Sequence, residues 1–167
     1  QTSPEKLKEL FDGMDIHPLT AQLLVQRGVE NKKDAERFIA PSYDTDIGNP
    51  LDIHGMSDAV TRIINAMKHD ETIAIYSDYD CDGIPGATII YDFLKYIKYD
   101  NFAVYIPDRH DEGYGLHKDA ILKFINEDVK LIITIDLGIT AIDEVSFAKE
   151  NGIDVIITDH HLPHEKL

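Results

Sequence analysis

Residues 72–86 read TIAIYSDYDCDGIPG, so a short apolar run passes directly into carboxylates at Asp78, Asp80 and Asp82 and then into Gly83. Residues 72–77 are β-branched and aromatic enough to form a buried strand. The acids that follow match the D-x-D-x-D-G opening of a calcium-binding EF-hand loop, which requires a bidentate Glu at loop position twelve and a helix in front. Counted from Asp78, that position is Ile89, and a strand stands where the helix should be. The stretch therefore predicts a strand that ends in an acidic loop of another kind.

Downstream, the same strand pattern recurs. Strands are expected near 72–77, 101–106, 129–135 and 153–158, separated by helices near 85–97, 117–126 and 141–150. Continuous apolar strands alternating with amphipathic helices predict an α/β fold with a doubly wound parallel β-sheet and flanking helices. Upstream, short helices are expected at 4–11, 18–26 and 32–39, the last ended by Ala40-Pro41. Residues 42–55 are rich in Asp, Pro and Gly and predict a linker. Ser57 is the expected N-cap of a further helix with Ala59, Ile63, Ile64 and Met67 on its apolar face. This gives a helical lead-in and linker over 1–55 and a main domain over 56–167.

The 167 residues hold one good-sized domain with a small appendage, and 43% hydrophobic content is ample for a packed core. No apolar run approaches the roughly 20 residues needed to span a bilayer, and no secretory pattern opens the chain, so no membrane partner is expected. A single cysteine, Cys81, excludes an internal disulfide and fits a reducing cytoplasm. The start at Gln1 suggests a processed or partial chain. The net charge of -15 is uneven, with 8 basic against 12 acidic groups up to residue 70 and 8 against 19 after it. Such a surface repels a nucleic-acid backbone unless cations or a basic neighbour intervene.

Each strand is followed by a polar cluster: Asp78, Asp80 and Asp82; then Pro107-Asp108-Arg109-His110; then Asp136; then Asp159-His160-His161. An Asp after a strand is commonly only a turn former. Ligands in open parallel sheets, however, bind outside the carboxyl ends of the strands, so these clusters are expected to converge. Left alone in a cleft, so many carboxylates would cost several kcal/mol in repulsion and desolvation, a cost that divalent cations remove. Oxygen ligands with an imidazole suit Mn²⁺, and Mg²⁺ with more difficulty, while the lack of a cysteine cluster speaks against structural zinc. Two such ions can activate water and stabilise a leaving oxygen, which is phosphoester-cleaving chemistry.

SDYDCDG, PDRHDEGYGL, TIDLGI and TDHH, in this order after successive strands, resemble the four motifs of the DHH phosphoesterase superfamily. DYDCDG and the run from Arg109 through Glu112-Gly-Tyr-Gly are similar to its RecJ branch of single-strand-specific 5′-to-3′ exonucleases. HPLTAQLLVQRGV, FIAPSYD and NPLDIHGMSDAVTRI resemble the segment preceding the catalytic domain in that branch. The resemblance implies that Asp80 and Asp82 each serve one ion, that Asp136 bridges the pair and that His160 ligates one ion. Asp78 becomes a ligand or a partner behind the ligands, Asp159 orients an imidazole, and His161 and Arg109 face the phosphate. It further implies two Mn²⁺ ions, single-stranded DNA as substrate, release of nucleoside 5′-monophosphates, and a helicase or single-strand-binding protein as partners in DNA repair and recombination. A further Asp ligand and a second, DNA-gripping domain are expected past Leu167, so that this stretch carries an incomplete site. Leu137 stands where the family often has Cys, with no consequence expected.

Three rivals share some of these residues. One is a DHH relative acting on short oligonucleotides, cyclic dinucleotides or pyrophosphate. Another is a haloacid-dehalogenase-like phosphatase with Asp80 as nucleophile of a D-x-D-G motif. The third is a non-catalytic replication scaffold, which the intact Asp80, Asp82, Asp136 and His160 disfavour. Among the other residues, Gly113 and Gly115 are expected in turns, Tyr114 packed or stacking on a base, and Cys81 packed. His17, His54, His69, His110, His117 and His164 are expected to be solvated.

Overall fold

The computed structural model describes residues 3–163. Two compact units divide the chain, Gln1–His54 and Gly55–Leu167. The first contains α1 (Pro4–Leu10), α2 (Pro18–Gln26), α3 (Lys32–Ile39) and α4 (Tyr43–Asp46), then a 3-10 turn at Pro50–Asp52. Proline opens α1 and α2, where its missing N–H costs nothing, and Ser3 and Asn31 cap α1 and α3 through their side chains. His17 caps α2, with Nδ1 accepting from the N–H of Leu19 at 3.1 Å. Leu7, Phe11, Ala21, Leu24 and Ala35 form the buried core of this unit. The expected linker is thus partly structured, because Ser42 and Asn49 each cap a short turn.

The second unit opens with α5 (Met56–Lys68) and continues through β1 (Thr72–Ser77), α6 (Gly83–Tyr96), β2 (Phe102–Tyr105), α7 (Lys118–Asn126), β3 (Val129–Ile135), α8 (Ile142–Glu150) and β4 (Asp154–Thr158). Ser57 is not the cap of α5. Gly55 takes that position at φ +75, a left-handed conformation that glycine adopts without penalty, and Ser57 lies inside the first turn. All strand pairs are parallel, in the order β2-β1-β3-β4.

Alternation along β1 sends Ile73 and Ile75 to one face and Ala74 and Tyr76 to the other. The first face packs with Leu131, Ile133 and Ile135 of β3 against Ala66 of α5 and Ala87 and Leu94 of α6. The second packs with Ile132 against Ile121 and Phe124 of α7 and Ala148 of α8. Helices therefore cover both faces, as a doubly wound sheet requires. From β1 the chain crosses to β2 on one side, while β3 lies on the other. The sheet's switch point, where ligands of such folds bind, falls between β1 and β3.

Candidate metal centre

Register brings the acids together. Ser77 pairs with Ile135, and Ile135 with Thr158, so Asp78, Asp136 and Asp159 are the next residues out of three adjacent strands. The N–H of Asp78 donates to Ile135 O at 3.1 Å and that of Asp136 to Thr158 O at 2.8 Å, carrying the ladder one step into the loops. Asp136 does so at φ +63, a left-handed conformation that Asp tolerates better than most residues.

After Asp78 the chain folds back tightly. Asp80 Oδ1 accepts from the N–H groups of Asp82 at 2.9 Å and Gly83 at 3.0 Å, which start α6. Those two backbone bonds hold the Asp80 carboxyl below the usual carboxylate range. A side chain on Gly83 would place its Cβ 2.4 Å from Asp78 O, so only glycine lets the helix begin against the strand end.

Two groups of potential ligand atoms result, each with all its atoms within 4.8 Å of one another: Asp78, Asp80 and Asp136, and Asp136, His160 and His161. Asp136 belongs to both. Its side chain is nearly buried, and Oδ1 lies 3.0 Å from His160 Nε2 yet accepts no hydrogen bond among the described residues. Burial, followed by the charge of Asp80, pushes the Asp136 carboxyl above its ordinary value. A buried, unsatisfied oxygen flanked by carboxylates and an imidazole suits a hard or borderline divalent cation. Asp82 stands further out, exposed, with Oδ2 4.0 Å from His160 Nε2.

Asp159 supports the His161 imidazole. It accepts from the N–H of Ile139 at 2.9 Å, from the N–H of His161 at 3.0 Å and from His161 Nδ1 at 2.7 Å. Burial opposes ionisation of Asp159, but these bonds outweigh it and hold the carboxyl below its ordinary value. The same contact raises the His161 imidazole. The imidazole that Asp159 orients is thus that of His161.

Arg109 is not among the carboxylates. It lies on the loop after β2, with its guanidinium over the ring of Tyr79 at 5.3 Å from the centroid. That loop is folded by Glu112, to which its motif assigns no separate role. Glu112 accepts from Tyr105 OH and, through Oε2, from the N–H of Asp108 at 2.8 Å. The spacing of Asp108 and Glu112 on either side of Arg109, closed by Gly113, is the signal that would have found it. Burial, then Glu112, pushes the Tyr105 phenol up to about 12, so it remains a donor at any working pH.

Several single-residue expectations change. Tyr114 is exposed rather than packed, its ring edge-on to His161 at 6.2 Å. Burial, then Asp159, Asp78, Asp136 and Asp80, raise its phenol, which places the hydroxyl in the field of the acid cluster. Cys81 is exposed, because the Asp80 turn points it away from the core. His117 is half-buried with Nε2 enclosed, not solvated, since it precedes α7 against the core. Gly113 and Gly115 occupy turns at φ +82 and +103. His164 lies outside the described residues.

The family model for the DHH family, N-terminal domain, matches residues 72–167. Over 98% of its length the chain is 40% identical to the single-stranded-DNA-specific exonuclease RecJ of Bacillus subtilis, covering 20% of that protein. It is 32% identical over 97% of its length to the RecJ of Haemophilus influenzae, covering 28% of it. The chain therefore spans between a fifth and somewhat over a quarter of the length of these relatives. Among solved structures, it resembles an exonuclease RecJ bound to manganese, at TM-score 0.62 and 33% identity over 67% of this chain and 29% of that one. It also resembles the RecJ of Thermus thermophilus in complex with Mn²⁺, at TM-score 0.63 and 25% identity over 99% of this chain and 22% of that one. With its motifs on successive strand ends and a family match over more than half its length, the chain belongs to the DHH family.

Proposed function

We propose that this chain carries the metal-binding part of a RecJ-like exonuclease that hydrolyses phosphodiester bonds of single-stranded DNA from the 5′ end and releases nucleoside 5′-monophosphates. Residues 1–55 serve as lead-in and 56–167 as the catalytic domain. The observation that carries the reading is Asp136, the residue shared by both ligand groups, whose Oδ1 is buried and accepts no hydrogen bond among the described residues. A carboxylate so placed could serve two ions. Asp78, Asp80, Asp82, Asp136 and His160 would hold them, and manganese is supported by the relatives' structures bound to that metal.

When bound, such a pair supplies a nucleophilic water at neutral pH and neutralises phosphate charge. The chain's own residues do the rest. Two backbone N–H groups hold the Asp80 carboxyl below its ordinary value, which favours the charged form. Asp159 fixes His161 Nδ1 by a hydrogen bond, leaving Nε2 to face the phosphate, and Arg109 offers a bidentate fork to the same group. Covalent attack by Asp80 is the weaker reading, since it leaves the Asp159-His160-His161 cluster without a task. A cytoplasmic location, and a helicase or single-strand-binding protein as partners, follow from the same reading.

The test uses the full-length protein and a long single strand labelled at either end. Wild type should release mononucleotides from the 5′ label first and only with manganese, and Asp136→Ala should abolish both metal binding and release. Full metal-dependent activity in Asp136→Ala would refute the assignment. Preference for dinucleotides over long strands would indicate a DHH relative acting on short substrates. Failure of wild type to bind manganese or cleave would indicate a scaffold.

A further inference from the structure

Arg109 is exposed, on a loop, and carries one of the longest side chains available, so a free guanidinium there would sample many rotamers before meeting a phosphate. It is held at two points instead. Its backbone sits inside a closed turn: Asp108 O accepts from the N–H groups of Glu112 at 2.9 Å and Gly113 at 3.2 Å, and Asp108 Oδ1 from that of His110 at 2.8 Å. The Glu112 carboxylate locks this turn to the sheet through Tyr105, whose ring stacks on Tyr76 at 5.2 Å. Tyr76 in turn donates its hydroxyl to Gly115 O at 2.9 Å, tying down the far end of the same loop. The Arg109 side chain then rests on Tyr79, the residue between Asp78 and Asp80.

We propose that Glu112 and Tyr79 are positioning residues that pre-set Arg109 for the substrate phosphate, Glu112 by closing its turn and Tyr79 by holding its guanidinium over an aromatic face on the metal loop. The inference rests on the reading of Arg109 as a phosphate-facing residue. It also explains why an aromatic residue stands between two acids of the metal loop. A residue there can order the arginine and the acids at once, so the phosphate meets both without a separate ordering step.

A double-mutant cycle on the full-length protein tests this. Affinity for oligo-dT is measured by fluorescence anisotropy with calcium replacing manganese, cleavage is measured separately with manganese, and manganese binding is titrated in every variant. Tyr79→Leu should weaken oligo-dT binding about threefold, the size of an exposed cation–π contact, while Tyr79→Phe stays near wild type. Glu112→Ala should weaken it at least as much. Neither should add to the loss in an Arg109→Ala background, because each acts through that side chain. Additive losses, or an unchanged affinity in Tyr79→Leu, would overturn the proposal. Loss of manganese binding in Tyr79→Leu would overturn it too, since the ring would then be supporting the metal loop. If Glu112→Ala misfolds, the Tyr79 pair decides. An intact binding cycle without cleavage would refute the exonuclease reading and leave the positioning role standing.

Discussion

Asp136 concentrates the tension in this protein, because burial and the neighbouring Asp80 both disfavour its charge. Its carboxyl therefore holds a proton more tightly in the folded chain than in the unfolded one. Without metal, that costs stability at every pH above the raised value, and the cost fades as pH falls through it. Asp136→Asn should accordingly be at least as stable as wild type at neutral pH in metal-free urea denaturation, with the two converging in acid, even though the variant no longer binds manganese. Asp159 has the opposite sign. Its lowered carboxyl contributes stability that is complete above the ordinary value of 3.8 and is lost as pH falls through the folded one. For the raised His161 the contribution is complete below 6.5 and is lost as pH rises through the folded value. Asp159→Asn should thus return the His161 titration toward its ordinary midpoint, read from the imidazole proton shifts. The acids and histidines were visible in the sequence because their residue types and spacing after strands announce them. For Tyr114 the sequence left packing and base stacking open, since nothing local distinguishes a tyrosine beside an acid cluster from a packed one.

The elements were the most legible level. β1 and β3 span the residues their apolar runs predict, and α2 and α3 match their expected bounds, because burial and capping act over a few residues. The start of α6 departs from expectation because a tight local turn sets it. Helix α6 starts at Gly83, two residues before the expected Pro85, because the Asp80 carboxylate caps the turn and Gly83 fits against Asp78 O. Gly83→Ala should therefore cost about 2–3 kcal/mol in urea denaturation, as overpacking against backbone does, and weaken manganese binding with it. Gly86→Ala should destabilise as well, since its Cβ would come within 2.6 Å of Ile135 Cγ2, a methyl on the stiff β-carbon of a buried core residue. β2 and β4 are shorter than expected, being edge strands paired on one side.

Across the whole chain, a net charge of -15 would have to coexist with the polyanionic substrate proposed above. Divalent ions held in the cleft would reconcile the two, so metal binding and stability should be linked. Manganese at a hundred times its dissociation constant should stabilise the protein by about 2.7 kcal/mol, seen as a rise in thermal midpoint that Asp136→Asn abolishes. The alternation of apolar runs was enough to specify an α/β sheet covered on both faces, because side-chain periodicity is a local property and the handedness of parallel connections leaves few arrangements. It was also enough to nominate the acids, since loops at strand ends share one edge. Register was another matter. That Asp78, Asp136 and Asp159 leave their strands side by side, that Asp136 is left with an unsatisfied oxygen, and that Arg109 lies on Tyr79 all depend on pairings between segments remote in the chain. Such pairings are set by packing of the complete core, which no local pattern encodes.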